Sequence, residues 1–115
     1  MKILNAGLAA MTSIALMIAA VAGAQAEDAA TVHVALKDHR FVPAEPTAPA
    51  GKPITIEVKN LDSTPSEFES KTLRVEKVVE GGGTITIQVR ALTPGRYRFF
   101  DDYHEDTTEG FLVVR

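Results

Sequence analysis

The chain has 115 residues, a formal net charge of −3, 23% charged residues and no Cys. An acidic balance gives no footprint for nucleic acid or anionic lipid, and the absence of Cys excludes disulfides, thiolate metal centres and cysteine nucleophiles. The three methionines are Met1, Met11 and Met17, so residues 27–115 contain no sulfur and offer a metal only oxygen and imidazole nitrogen.

Residues 1–26 read as a secretory signal peptide. Lys2 gives a positive start, an apolar run extends from Ala6 to Ala24, and Ala24-Gln25-Ala26 supplies a small-residue cleavage pattern ahead of Glu27-Asp28. The competing reading is an uncleaved anchor, because the run approaches the ~20 residues a spanning helix needs. No Cys follows the run, so a lipid anchor has no attachment point. The expected compartment is the bacterial periplasm, and residues 27–115 form one domain with one modest core.

Thr31 to Leu36 alternates, with Val32, Val34 and Leu36 on one face, and reads as a half-buried strand with His33 on the other face. Lys37-Asp38-His39-Arg40 is a polar turn. Phe41 to Pro49 is Pro-rich and extended, which confines it to a sheet edge. Ala50-Gly51-Lys52-Pro53 is turn chemistry. Ile54 to Lys59 is the clearest strand, with Ile54, Ile56 and Val58 inward. Asn60 to Pro65 turns the chain and Ser66 to Ser70 is extended. Leu73 to Val79 fits a strand or one helical turn, and its alternation favours the strand. Gly81-Gly82-Gly83 is a turn, and the absence of a following helical run removes the phosphate-loop reading. Thr84 to Val89 alternates again. Leu92-Thr93-Pro94-Gly95 then leads into a strand from Arg96 to Asp101, and Phe111 to Val114 is the last strand. About seven short strands separated by turn signals predict an all-β fold, a Greek-key β-sandwich.

The chemistry concentrates in two places. Five acidic residues lie between Asp101 and Glu109, with no Lys or Arg among them and His104 in their midst. Side chains alternate along a strand, so Tyr97, Phe99 and Asp101 share a face, and an inward Phe99 turns Asp101 inward. A buried carboxylate needs a cation, a hydrogen-bond set or a proton. His104, three residues on, can approach the same point; the competing reading has Asp101 capping backbone N–H groups beside a solvated His104. The second place is Glu67-Phe68-Glu69, whose carboxylates point to one side with Phe68 opposite. Paired acids raise each other's pKa unless a cation screens them; the competing reading is an exposed acidic edge. Glu76 and Asp106 are weaker candidates, and His39 and His33 are weaker still. There is no G-x-S-x-G and no serine with a His nearby in sequence, so a hydrolase is not expected.

Asn60 to Phe68, then Pro94-Gly95-Arg96-Tyr97-Arg98-Phe99-Phe100-Asp101, then His104 and Gly110 to Val114, resemble a cupredoxin. On that resemblance Ser66 stands where a blue-copper protein has its first His, Asp101 where it has Cys, His104 where it has the second His, and Thr108 or Glu109 where it has the axial Met. Three of the four ligands are thus replaced, and blue-copper electron transfer, which depends on the thiolate, is excluded.

More narrowly, Asp62 to Ser70, Leu73 to Lys77 and Phe99 to His104 resemble the cupredoxin-like components of bacterial ferrous-iron uptake systems, the EfeO-type cupredoxin domain and the stand-alone FtrB-type periplasmic protein. That resemblance implies a cupredoxin-like sandwich that works with an inner-membrane iron permease, a second periplasmic iron- or copper-binding protein and a membrane ferredoxin-like protein. It implies iron and/or copper as the bound metal, with Mn or Zn as substitutes in vitro, and a ferroxidase-like assistance to Fe(II) oxidation before transport. Related domains can use Cys at the site, and this chain departs from them there. The expected ligands are Asp101 and His104 from the loop and Glu67 and Glu69 from the opposite strand, with Glu76 and Asp106 as further carboxylates. A metal-free docking module for a permease partner and a periplasmic copper chaperone are the alternatives.

Overall fold

The computed structural model describes residues 28–115; the predicted signal peptide lies outside the described residues. Alternating apolar residues build two facing sheets. In the first, β1 (Ala30–Lys37) buries Val32, Val34 and Leu36, β4 (Ile54–Asn60) buries Ile54, Ile56 and Val58, and β7 (Thr84–Val89) buries Ile87 and Val89. With β2 (Arg40–Val42) on the edge, the order is β2-β1-β4-β7, with β1 and β4 parallel. The second sheet has the order β3-β9-β8-β5-β6, from β3 (Thr47–Ala48), β9 (Glu109–Val114), β8 (Gly95–Asp101), β5 (Ser66–Ser70) and β6 (Val75–Val79). The all-β sandwich expected from the alternation is the fold observed.

The Pro-rich stretch divides in two, and the described residues hold nine strands. Its first part pairs with β1 in one sheet and its second part with β9 in the other, so the chain crosses between the sheets there. Both pieces are edge strands, as the prolines require. Leu73 is not part of a strand. It anchors a turn over Lys71–Arg74, with Arg74 at φ +56°, and β6 begins only at Val75.

Phe41, Phe68 and Phe99 meet at one end of the core. Phe68 and Phe99 stack at 5.1 Å between ring centroids, and Phe41 meets Phe99 edge-on at 4.8 Å. This aromatic floor lies beneath the loop that joins β8 to β9. Gly110, at the start of β9, has to be glycine: a Cβ there would come within 2.5 Å of the Phe99 ring and 2.7 Å of the Ala44 carbonyl oxygen. Asn60, fully buried at the end of β4, shapes the next turn. Its amide donates to the carbonyls of Thr64 and Val79, and its Oδ1 accepts from Asp62 N–H.

Candidate metal centre

Asp101 ends β8 on the same face as Phe99, points inward and is 0% exposed. Its charge is met by hydrogen bonds. Oδ1 accepts from the backbone N–H of Glu67 and of Tyr103, each at 3.0 Å, and Oδ2 lies 3.1 Å from His104 Nδ1. Asp101 is thereby the N-cap of the 3-10 helix Asp102–His104, an element the sequence reading treated as plain loop. A carboxylate can only accept, so the proton of the His104 contact sits on Nδ1, and the lone pair of the neutral ring is on Nε2.

Thr108 closes the loop. It is 1% exposed, its N–H donates to the His104 carbonyl, and its carbonyl accepts from Asp101 N–H. Its hydroxyl donates to the His39 carbonyl at 2.6 Å, tying the acidic loop to the β1–β2 turn. That turn has Asp38 and His39 both at positive φ, 52° and 57°. Two consecutive non-glycine residues at positive φ are uncommon even though Asp and His enter that region more readily than most, and the turn is held from outside. Asp62 holds it. Oδ1 accepts from Asp38 N–H at 2.7 Å and Oδ2 from His39 N–H at 3.0 Å. The N–H of His39 holds the Asp62 carboxyl below its ordinary value of 3.8 against the opposing effect of burial, with the Asp38 N–H and the nearby His39 and His104 rings adding to the lowering. The rings of His39 and His104 lie 4.4 Å apart between centroids.

The carboxylates of β5 are elsewhere. Phe68 pairs in register with Asp101 and shares its inward face, so Glu67 and Glu69 point to the outer face of the sheet. There they meet Asp102, one residue past Asp101 and therefore of opposite parity. Glu67, Glu69 and Asp102 each bring a carboxylate oxygen to within 4.8 Å of the others, the one group of three potential metal-ligating side chains this close among the described residues. Glu76 stands opposite Glu69 on β6. Partial burial pushes the Glu67 carboxyl above its ordinary 4.5, and a side-chain hydrogen bond with Glu76 and the charges of Glu76, Asp102 and Glu69 add to it. Glu69 is raised likewise, by partial burial first and then by Asp102 and Glu76, with Lys71 opposing. Tyr103 borders this surface, about half exposed, and burial together with Glu67, Glu80, Asp101 and Asp102 raises its phenol.

The predicted site residues therefore fall in three places. Asp101 and His104 lie together at the end of the sandwich. Glu67 and Glu69 do not join them as the other half of one site, because the alternation that turns Phe68 and Asp101 inward turns both glutamates out. With Glu76 they form a separate outer-face group. Asp106 is exposed in the loop. Asp102 and Asp62 were missed by the sequence reading; parity along β8 places Asp102 on the face opposite Asp101.

Two mixed sheets, an aromatic floor and a β8–β9 loop carrying a His three residues after an inward strand end define a cupredoxin architecture. The chain belongs to the cupredoxin-like domain family, whose sequence profile matches residues 9–114. An uncharacterized protein of Rickettsia prowazekii, RP394, is 41% identical over 83 residues, 72% of this chain; the chain spans 66% of that protein's length. Among solved structures the fold is similar to auracyanin A, a blue copper protein of Chloroflexus aurantiacus (TM-score 0.63, 17% identity, covering 76% of this chain and 100% of that one). It is also similar to auracyanin of Roseiflexus castenholzii (0.61, 21%, 76% and 99%) and to the metal-binding domain of the Streptococcus pneumoniae Cu(I)-exporting ATPase CopA (0.63, 17%, 74% and 84%).

Blue copper does not fit the residues present. The chain has no Cys, Ser66 is buried with its Oγ unpartnered, Asp101 is engaged by two backbone N–H groups and His104, and Thr108 is used to lock the loop. A trigonal His2Cys centre with an axial Met has one of its four side chains here, His104.

Proposed function

We propose that the protein is a periplasmic accessory protein of a ferrous-iron permease system, one that binds iron as cargo on the outer carboxylate face of its second sheet and assists oxidation before transport. The observation that carries this reading is the convergence of Glu67, Glu69 and Asp102 within 4.8 Å, with Glu76 beside them. Partial burial first, and then repulsion among the neighbouring carboxylates, raises the glutamate pKa values; a hard cation turns the same arrangement into affinity. An all-oxygen donor set favours Fe(III) over Fe(II) and so lowers the potential at which bound Fe(II) gives up one electron to an external acceptor, a Cu(II) centre or a second iron on a partner. The predicted signal peptide supports export. The resemblance to ferrous-iron uptake components supports the permease and a second periplasmic iron- or copper-binding protein as partners. The absence of sulfur from residues 27–115 disfavours Cu(I) chaperoning.

The test is anaerobic titration of the purified protein with Fe(II) and Mn(II), read by calorimetry and melting temperature. Binding only to the native state stabilises it by mass action, about 2.7 kcal/mol at a hundredfold excess over Kd. The expected result is a metal-dependent rise in melting temperature that disappears in Glu67→Gln/Glu69→Gln. Equal stabilisation of wild type and double variant would reject the carboxylate face as the site.

A further inference from the structure

The end of the sandwich carries two polar atoms that nothing in the outer-face site explains. His39 Nδ1 and Ser66 Oγ are both buried and both without a hydrogen-bond partner. Ser66 is 1% exposed and lies on the inward face of β5, beside the residue whose N–H caps Asp101. A buried donor or acceptor without a partner is costly, so the orphaned His39 Nδ1 asks for a ligand. His39 is also held there at a backbone cost. It sits at positive φ, with its N–H fixed by Asp62 and its carbonyl by Thr108. Strained residues over-determined by their surroundings cluster at functional positions.

We propose that His39 and His104, with the Asp62 carboxylate, form a second cation site for a borderline divalent metal of the Zn(II) or Cu(II) kind. Four observations converge on it. The two imidazoles are already neighbours, 4.4 Å between centroids. Asp101 takes the Nδ1 proton of His104 and leaves Nε2 as the free lone pair, the carboxylate–histidine arrangement that orients metal-binding imidazoles. His39 Nδ1 faces Asp62 Oδ2 at 4.0 Å, too long for a hydrogen bond. Asp62 spends two of its roughly four acceptor positions on backbone N–H groups and keeps the others. Two imidazoles and a carboxylate suit such metals without any thiolate. Asp101 is a positioning residue here and Asp62 a ligand, so the set differs from the blue-copper positions at every place except His104. The three ligand atoms do not yet lie within mutual reach of one ion, so binding rotates the two half-exposed rings together.

This inference is independent of the carboxylate face, and one experiment separates them. Cu(II) serves as a paramagnetic probe, added at one equivalent to wild type, His39→Asn and Glu67→Gln/Glu69→Gln, with affinity from competition and ligand identity from electron paramagnetic resonance. Asn tolerates positive φ, so His39→Asn preserves the turn, and its melting temperature in chelator checks that it does. The expected result is coupling to two imidazole nitrogens in wild type and in the glutamate variant. In His39→Asn the coupling falls to one nitrogen and affinity falls by about tenfold or more. Unchanged affinity and two-nitrogen coupling in His39→Asn would overturn the proposal, as would loss of both in the glutamate variant alone.

Discussion

Asp101 shows most clearly how one side chain has been reassigned. Its carboxylate joins β5, the 3-10 helix and His104 through three contacts inside a fully buried position. Removing it leaves two backbone N–H groups and an imidazole N–H without acceptors. Asp101→Ala is therefore expected to lower stability by about 3 kcal/mol, measured by denaturant unfolding without metal. Ser66→Ala, next to it, removes a hydroxyl that makes no bond. It is expected to be neutral or stabilising by up to about 1 kcal/mol in the same assay. The sequence made the inward turn of Asp101 readable, because Phe99 shares its parity. Asp101 caps backbone N–H groups, as the competing reading had it, but His104 lies against its Oδ2 rather than standing solvated. Its hydrogen-bond partners were not readable, because Glu67 N–H reaches it only through the register of β5 against β8, which no local pattern encodes.

At the scale of elements, the β8–β9 connection and the β1–β2 turn act as one unit. Thr108 bonds the connection to the turn, Asp62 holds the turn's two N–H groups, and the aromatic cluster of Phe41, Phe68 and Phe99 packs below. The contact between β9 and that floor leaves no room for a methyl group. Gly110→Ala is expected to cost about 1–3 kcal/mol through overpacking against Phe99, seen as a lowered denaturant midpoint at unchanged slope. Strands with clean alternation, such as Ile54–Asn60 and Thr84–Val89, were legible from their side-chain period alone. The Pro-rich stretch was legible as an edge but not as two edges, since its division between sheets follows from partners distant in sequence. Glu67 and Glu69 were legible as a same-sided pair. Their separation from Asp101 was implicit in Phe68, whose inward direction fixes theirs outward, but the partner they meet instead, Asp102, emerges only when β5 and β8 are set side by side.

For the whole molecule, the carboxylates give stability a pH dependence with two opposite signs. Asp62 has its folded pKa depressed, so its contribution is present above the ordinary value of 3.8 and is lost as pH falls through the folded value. Glu67 and Glu69 have folded pKa values raised above 4.5. In that window the native state binds more protons than the unfolded one, and stability falls as pH rises through it. Metal-free wild type is therefore expected to lose stability from pH 4.5 upward through the folded values, and Glu67→Gln/Glu69→Gln to show a flatter profile and a higher melting temperature at neutral pH. A cation bound to the face reverses the order by stabilising wild type alone.

The proposed hard-cation site on the outer sheet stands in a cupredoxin-like chain that has no Cys for thiolate copper chemistry. Metal content of the protein isolated from its own host, measured by elemental analysis for wild type and Glu67→Gln/Glu69→Gln, tests it most directly. Iron in the wild type and its loss from the double variant is the predicted result. Iron absent from the wild type, or iron retained after loss of the two glutamates, would contradict it.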